Sequence, residues 1–251
     1  MRETRDIMGM PVTIEICDAD ASQAPLAKAF DYFRTVDERF STYKKESEIS
    51  RINRGEVSES QYSPEMKDIL RLAEETRRLT DGYFEVKRSD GSIDPSGIVK
   101  GWAIQHAAQL LRSLGYNNIY VEAGGDIQTA GKNADGAEWR IGIRNPFNAQ
   151  EIIKVVFPRG RGIATSGTTI RGAHIYDPHT KKPVETDLVS LTVIGPNVFE
   201  ADRFATAAFA MGQGGIGLIS HLVGFEGYAI DAKGMATMTE GFSSYTYDQN
   251  N

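Results

Sequence analysis

Stretches of helical period and stretches of strand period follow one another along this chain without the regular unit of a doubly wound sheet. Pro11 to Cys17 alternates well enough for an opening strand. Ser22 to Phe40 reads as a helix, with Leu26, Phe30, Phe33, Val36 and Phe40 at spacings of three and four. Ser63-Pro64-Glu65 opens a second helix, Ser as cap and Pro in the first turn, which runs toward Leu79 and stops before Gly82. Gly101 to Leu114 is a third, stopped by Gly115. Strands are expected at 118–123, 139–143, 152–157, 162–165 and 189–194, then helices at 201–211 and 215–223. Two strand-like runs, 227–231 and more weakly 235–239, close the chain. No G-x-G-x-x-G follows a strand and there is no Walker loop, so neither standard nucleotide fold is indicated.

Within the helix at 201–211, Asp202 and Thr206 stand four residues apart and share one face. A carboxylate beside a neutral hydroxyl is hard-oxygen ligation, suited to Mg²⁺, which takes few protein carboxylates and leaves its other positions to water and phosphate. Taken alone, the pair reads equally as a helix cap and a packing residue. Other segments bear on the choice: Met8-Gly9-Met10-Pro11; Ser41-Thr42-Tyr43 followed by Ser47 to Asn53; Asp94-Pro95-Ser96-Gly97-Ile98-Val99-Lys100-Gly101; Glu122-Ala123-Gly124-Gly125-Asp126-Ile127; and His174-Ile175-Tyr176-Asp177-Pro178. Pro95 and Gly97 bend the backbone ahead of the third helix, and Gly97 lets its carbonyl approach a ligand with no Cβ in the way. Lys100, near that helix start, is a compact cation suited to phosphate. Tyr43, Tyr83 and Phe84 offer aromatic faces for flat heterocycles, although Phe84 between Gly82 and Val86 equally suits a core. His174 is the side chain best placed to take a proton near neutral pH.

With the Asp202/Thr206 helix behind them, these ordered motifs resemble the ApbE family of flavin transferases, from about Met8 to Gly212. The resemblance implies a single α+β unit over residues 1–251, T-fold-like, with mixed or antiparallel sheets and packed helices, and a frayed tail at 248–251. It implies a Mg²⁺-dependent FAD:protein FMN transferase that attaches FMN through a phosphoester to a threonine of an acceptor protein and releases AMP. Acceptors in the family are subunits of respiratory or electron-transfer complexes. Carried over residue by residue, the Mg²⁺ ligands are the Gly97 carbonyl, Asp202 and Thr206. Cofactor contacts fall on Met8, Tyr43, Tyr83, Phe84, Glu85, Asp94, Lys100, His174 and Tyr176. Glu85 departs from the aspartate common in relatives, and Met10 from their threonine. The proton of the acceptor falls to His174 or to Asp202. The same site with water as acceptor is an FAD pyrophosphatase, and without turnover it is a flavin store. Ser166-Gly167-Thr168-Thr169 is faintly similar to the family's acceptor sequence, but reads better as a strand end beside the site.

A net charge of −6 argues against general nucleic-acid binding, because phosphate recognition over a broad surface needs a basic face. A polyphosphate substrate therefore needs a local site with a metal. The one cysteine, Cys17, ends an apolar run and reads as packing, with no C-x-x-C pair for zinc or redox work. Of the histidines, His106 and His221 fall on helices and His179 on a turn, all read as surface or packing. No run of 18 apolar residues exists to span a membrane, and the first residues carry no secretory or lipoprotein signal, so a cytoplasmic protein is expected.

Overall fold

A computed structural model describes residues 1–168, 176–180, 182–184 and 186–246; of Tyr176, Asp177, Lys182 and Pro183 it describes the backbone alone. Strands β1 (Arg2–Ile7) and β2 (Met10–Ile16) form an antiparallel hairpin. Met8 and Gly9 close it, both with positive φ (57° and 72°), the handedness that a two-residue hairpin turn needs. Val12, Ile14 and Ile16 alternate onto one face of β2 and are fully buried there.

Helices α1 (Gln23–Phe40), α2 (Glu48–Asn53), α3 (Pro64–Leu79) and α4 (Ser96–Ser113) come next. The expected apolar stripe of α1, from Leu26 to Phe40, is buried throughout. Ser63 caps α3 by accepting the Met66 N–H at 3.2 Å. The third helix begins five residues earlier than the expected Gly101. Asp94 Oδ1 accepts the Ser96 N–H at 3.1 Å and Pro95 precedes the first turn, so Ser96 to Lys100 are helical, not loop.

The chain then forms β3 (Ile119–Ala123), β4 (Asp126–Ala130), β5 (Ile141–Asn145), β6 (Asn148–Val156), β7 (Gly162–Gly167), β8 (Tyr176–Asp177), β9 (Lys182–Pro183) and β10 (Leu188–Gly195). Helices α5 (Val198–Ala210) and α6 (Gly215–His221) and strands β11 (Glu226–Asp231) and β12 (Ala236–Met238) complete it. Eight strands form one sheet in the order β1-β2-β3-β4-β7-β10-β11-β12, and every neighbouring pair is antiparallel. The fold is thus α+β with an antiparallel sheet, as the sequence implies.

Helices α1, α4 and α5 cover one face of the sheet. Ile119, Val121 and Ala123 of β3 meet α4, while Ala164, Leu191 and Val193 meet α5. On the other face Ile127, Ile163, Ile194 and Ile230 lie beneath the β5–β6 hairpin and Phe242. Arg203 of α5, 5% exposed, holds Glu75 and Thr76 of α3 and Glu200 of its own helix, which fixes α3 against α5. Among the described residues no helix is long and apolar enough to cross a membrane. The tail expected to fray lies outside the described residues.

Candidate functional site

The site forms where α4 and α5 approach most closely. At Gly101 an added Cβ would stand 2.7 Å from Asp202 Cβ and 2.9 Å from Asp202 Oδ2, so only glycine lets the helices meet at this height. The Gly101 N–H donates to Asp202 Oδ2 at 2.8 Å. That fixes the Asp202 carboxylate. Asp202 Oδ1 accepts from the Lys100 ammonium at 3.0 Å. The same ammonium pairs with Asp126 Oδ2, and Asp126 Oδ1 accepts the Thr165 N–H at 3.0 Å. All three charged groups are buried: Asp126 is 0%, Asp202 3% and Lys100 8% exposed. One cation between two anions leaves the cluster with a formal charge of −1, a place that favours a further cation.

Above this cluster lies a cleft of about 820 Å³, within the range of small-molecule and cofactor sites. It gathers Tyr83, Phe84, Glu85, Asp94, Gly97, Lys100, Asp202 and Thr206, eight of the residues singled out in the sequence. Phe84 is only 3% exposed, and its ring lies 3.4 Å from where a Gly97 Cβ would be. It therefore belongs to the core as well as to the cleft wall. Tyr83 stands edge-on to His179, ring centroids 4.5 Å apart, so the histidine read as a surface turn residue lines the cleft too. Glu85 is exposed and accepts the Lys87 N–H at 2.8 Å. Asp94, half-buried, pairs with the guanidinium of Arg88 at the cleft mouth.

A small hairpin carries Arg88 and Asp94. The Arg88 N–H bonds the Ser92 carbonyl at 2.8 Å and the Asp94 N–H bonds the Val86 carbonyl at 2.7 Å. Asn53, last residue of α2, brackets Ile93 with its side-chain amide, donating to the carbonyl at 2.9 Å and accepting the N–H at 2.8 Å. The Ser47–Asn53 motif thus acts at a distance, by holding the strand that aims Asp94.

Met8 and Tyr43 are not brought to the cleft. Met8 occupies the β1–β2 turn and packs at the edge of the core, and Tyr43, 98% exposed, stands in solvent between α1 and α2. His174 lies outside the described residues, and of Tyr176 only the backbone, in β8, is described. The cleft also recruits Arg77, Arg88 and Ser190, which sequence reading did not select, with Gly124 from a noted motif and Thr165 and Ser166 from the strand end read as lying beside the site. Asp126 stood inside a noted motif, but only the fold places it on Lys100. No short-range spacing signals a pair joined through separate helices and strands.

The donor set bears on which metal could sit here. Among the described residues no group of three or more His, Cys, Asp or Glu could hold an ion. That does not suit a structural zinc site or an all-protein calcium cage. Asp202, the Thr206 hydroxyl and the Gly97 carbonyl are hard and few, which suits Mg²⁺ completed by water and phosphate oxygens. Thr206 faces Gly97, its methyl 3.6 Å from the Gly97 Cβ position, and its hydroxyl makes no hydrogen bond among the described residues.

Comparison with known proteins bears on the family of the chain and on its fold. The model of the ApbE family matches residues 8–89 and 85–228. The FAD:protein FMN transferase of Vibrio cholerae is 29% identical over 235 residues, which cover 71% of this chain and 70% of that protein. The Escherichia coli K12 protein of the same name is 30% identical over 181 residues, 67% of this chain and 52% of that protein. The match thus spans only about half the length of the second relative. Among solved structures, the flavin transferase ApbE from Vibrio cholerae aligns over 98% of both chains with a TM-score of 0.86 at 24% identity. The ApbE protein from Thermotoga maritima aligns over 99% of both with a TM-score of 0.88 at 20% identity. At those identities the likeness is one of fold.

Proposed function

The chain belongs to the ApbE family, and from that premise we propose that it is a Mg²⁺-dependent FAD:protein FMN transferase, residues 1–251 acting as one unit. One observation carries the reading. One cleft is lined by hard oxygen donors, a buried ammonium, the Tyr83 ring, and Asp94 with Arg88. An extended molecule with a diphosphate in its middle and flat rings at its ends suits that lining. The names of the relatives supply the chemistry, and the cleft supplies groups that suit it.

Mg²⁺ held by Asp202, Thr206 and the Gly97 carbonyl would offset charge on the diphosphate. Lys100 and Arg88 add cationic donors along the phosphates, and Asp94 fixes Arg88. The hydroxyl oxygen of an acceptor threonine attacks the FMN-side phosphorus, forming the new P–O ester bond. The anhydride P–O bond to the AMP half breaks, and AMP leaves with the electron pair. The hydroxyl proton goes to His174 or to Asp202, whose oxygens keep lone pairs beside the hydrogen bonds they accept. Tyr83 flanks the flat rings, and Phe84, Glu85 and Tyr176 among the contacts implied by the resemblance are assigned to flavin or adenine binding; Met8 and Tyr43, which stand apart from the cleft, are not. The acceptor is a separate protein, of the electron-transfer kind found with this family. Positioning supplies most of the rate, since an oriented hydroxyl gains up to about 7–11 kcal/mol over bulk water.

The test mixes protein, FAD and Mg²⁺ with and without a threonine-bearing acceptor domain, and follows AMP release and acceptor mass. AMP release should rise well above the FAD-only rate, and the acceptor should gain the mass of FMN less water. Its Thr→Ala variant should gain nothing. Equal AMP release without acceptor, and no modification of any acceptor, would make the protein a pyrophosphatase. Bound FAD with neither product would make it a flavin store.

A further inference from the structure

We propose that Arg203 is a positioning residue: it spans from α5 to α3 and so sets the metal donors against the Tyr83 and Phe84 rings, which FAD has to reach together. The inference rests on the FAD and Mg²⁺ reading above and adds to it a residue that does not line the cleft.

Asp202 and Thr206 line the cleft from α5, whereas Arg203, next to Asp202 in sequence, reaches toward α3. The backbone of α3 approaches α4 but scarcely approaches α5, so a long side chain makes the connection. The guanidinium does so with its whole fork. Nε and Nη2 donate to Glu200 Oε2 at 3.0 and 2.7 Å, and Nη2 and Nη1 donate to Glu75 Oε1 at 3.3 and 3.4 Å. Nη1 also donates to Thr76 Oγ1 at 2.9 Å. The guanidinium carbon lies 5.2 and 4.8 Å from the ring centroids of Phe199 and Phe204. From Thr76 the hydrogen bonds continue to the cleft. The Thr80 hydroxyl donates to the Thr76 carbonyl at 2.8 Å and accepts the Phe84 N–H at 3.2 Å. Thr76 and Thr80 are buried, where water does not stand in for a lost partner. Phe84 in turn lies beside Gly97, as does Thr206. A ligand that touches only the metal donors, or only the rings, gains nothing from a fixed separation between them. FAD with its cation touches both, and a separation set in advance removes ordering that binding would otherwise impose. A brace that only stabilises the fold would favour no ligand over another.

Three titrations decide between the two roles. FAD in the presence of Mg²⁺ and riboflavin alone are read by flavin fluorescence, and Mn²⁺ alone is read as loss of the free-ion electron paramagnetic resonance signal. Arg203→Met leaves no carboxylate buried and unpaired, because the Glu75 and Glu200 side chains are 45% and 23% exposed. It should weaken FAD with Mg²⁺ about tenfold and leave riboflavin and Mn²⁺ within about twofold of wild type, while circular dichroism shows a native fold. Thr76→Val, the arm that stands if Arg203→Met does not fold, should weaken FAD with Mg²⁺ about threefold with the same selectivity. Thr76→Ser keeps the hydroxyl and should match wild type. Unchanged FAD affinity in a folded Arg203→Met or Thr76→Val, a Thr76→Ser as weak as Thr76→Val, or a loss for Mn²⁺ and riboflavin as large as that for FAD would overturn the proposal. If the wild type binds neither FAD nor Mn²⁺, the reading of the cleft itself falls. If the wild type binds both while the Arg203 and Thr76 variants bind FAD normally, only the role of Arg203 falls.

Discussion

Both oxygens of Asp202 are spoken for, one by Lys100 and one by Gly101, and Thr206 sits a helical turn further along. Asp202→Ala should abolish Mg²⁺-dependent turnover of FAD with little change in helix content, since a helix accepts alanine at low cost. Turnover assays beside circular dichroism check both halves of that statement. Thr206→Val should raise the Mg²⁺ requirement by roughly tenfold or less, because a neutral ligand contributes less than a carboxylate. Away from the site, burial first and the neighbouring Glu15 carboxylate second push the Cys17 thiol up to about 11. Because its folded pKa lies above the usual thiol value, Cys17 stays protonated at pH 8 and should alkylate slowly there. Labelling by iodoacetamide, followed by mass spectrometry, should speed up as pH approaches 11 and in Glu15→Gln. The Asp202/Thr206 pair was legible because four residues on a helix is a local spacing. The partners of Lys100 were not, since its contact with Asp202 crosses 102 residues of chain.

Elements whose signal was an apolar period were read correctly, and those that depend on neighbours were not. The stripe of α1 and the Ser63 cap of α3 are written in adjacent residues. Strand β1 is not: Arg2, Glu3, Arg5 and Asp6 make it polar, as suits a sheet edge, and it exists because β2 pairs with it. Strand β4 was hidden behind Gly124-Gly125, both at positive φ, which make the tight turn out of β3. The early start of α4 came from Asp94 and Pro95 acting at its end. Two variants test this scale. Ser63 Oγ accepts from Met66 and donates to Glu48 at 2.7 Å, joining α3 to α2, so Ser63→Ala should lower stability by about 1–2 kcal/mol in urea unfolding. Gly101→Ala forces a methyl group onto Asp202; α4 and α5 must separate, and Mn²⁺ binding and turnover should fall together. Normal metal affinity in a folded Gly101→Ala would show that the close approach of the helices is not needed.

For the whole molecule, the irregular succession of helices and strands spoke against a doubly wound sheet and the family resemblance implied the α+β class, while the order of strands in the sheet was not legible. No residue pattern announces that β4 lies beside β7 or that β10 follows it. The cleft depends on that order, because β4 sets Asp126 against Lys100, β7 brings Thr165 and Ser166, and α4 and α5 bring Gly97, Lys100, Asp202 and Thr206. Contacts assigned to both halves of the dinucleotide lead to a ranking of ligands. FAD should bind more tightly than FMN or riboflavin in fluorescence titrations, and FAD with Mg²⁺ should raise the unfolding temperature more than either alone. Equal affinity for riboflavin would mean that Asp94, Arg88 and Lys100 do not read the phosphates. The same long-range construction fixes an order during synthesis. Lys100 leaves the ribosome first, Asp126 next, and Asp202 only after the β5–β6 hairpin, β7 and β10 have emerged. The nascent chain therefore offers the lysine one acidic companion well before the other. Of the two carboxylates that flank the ammonium in the finished protein, the one from β4 is the first that a half-made chain can use.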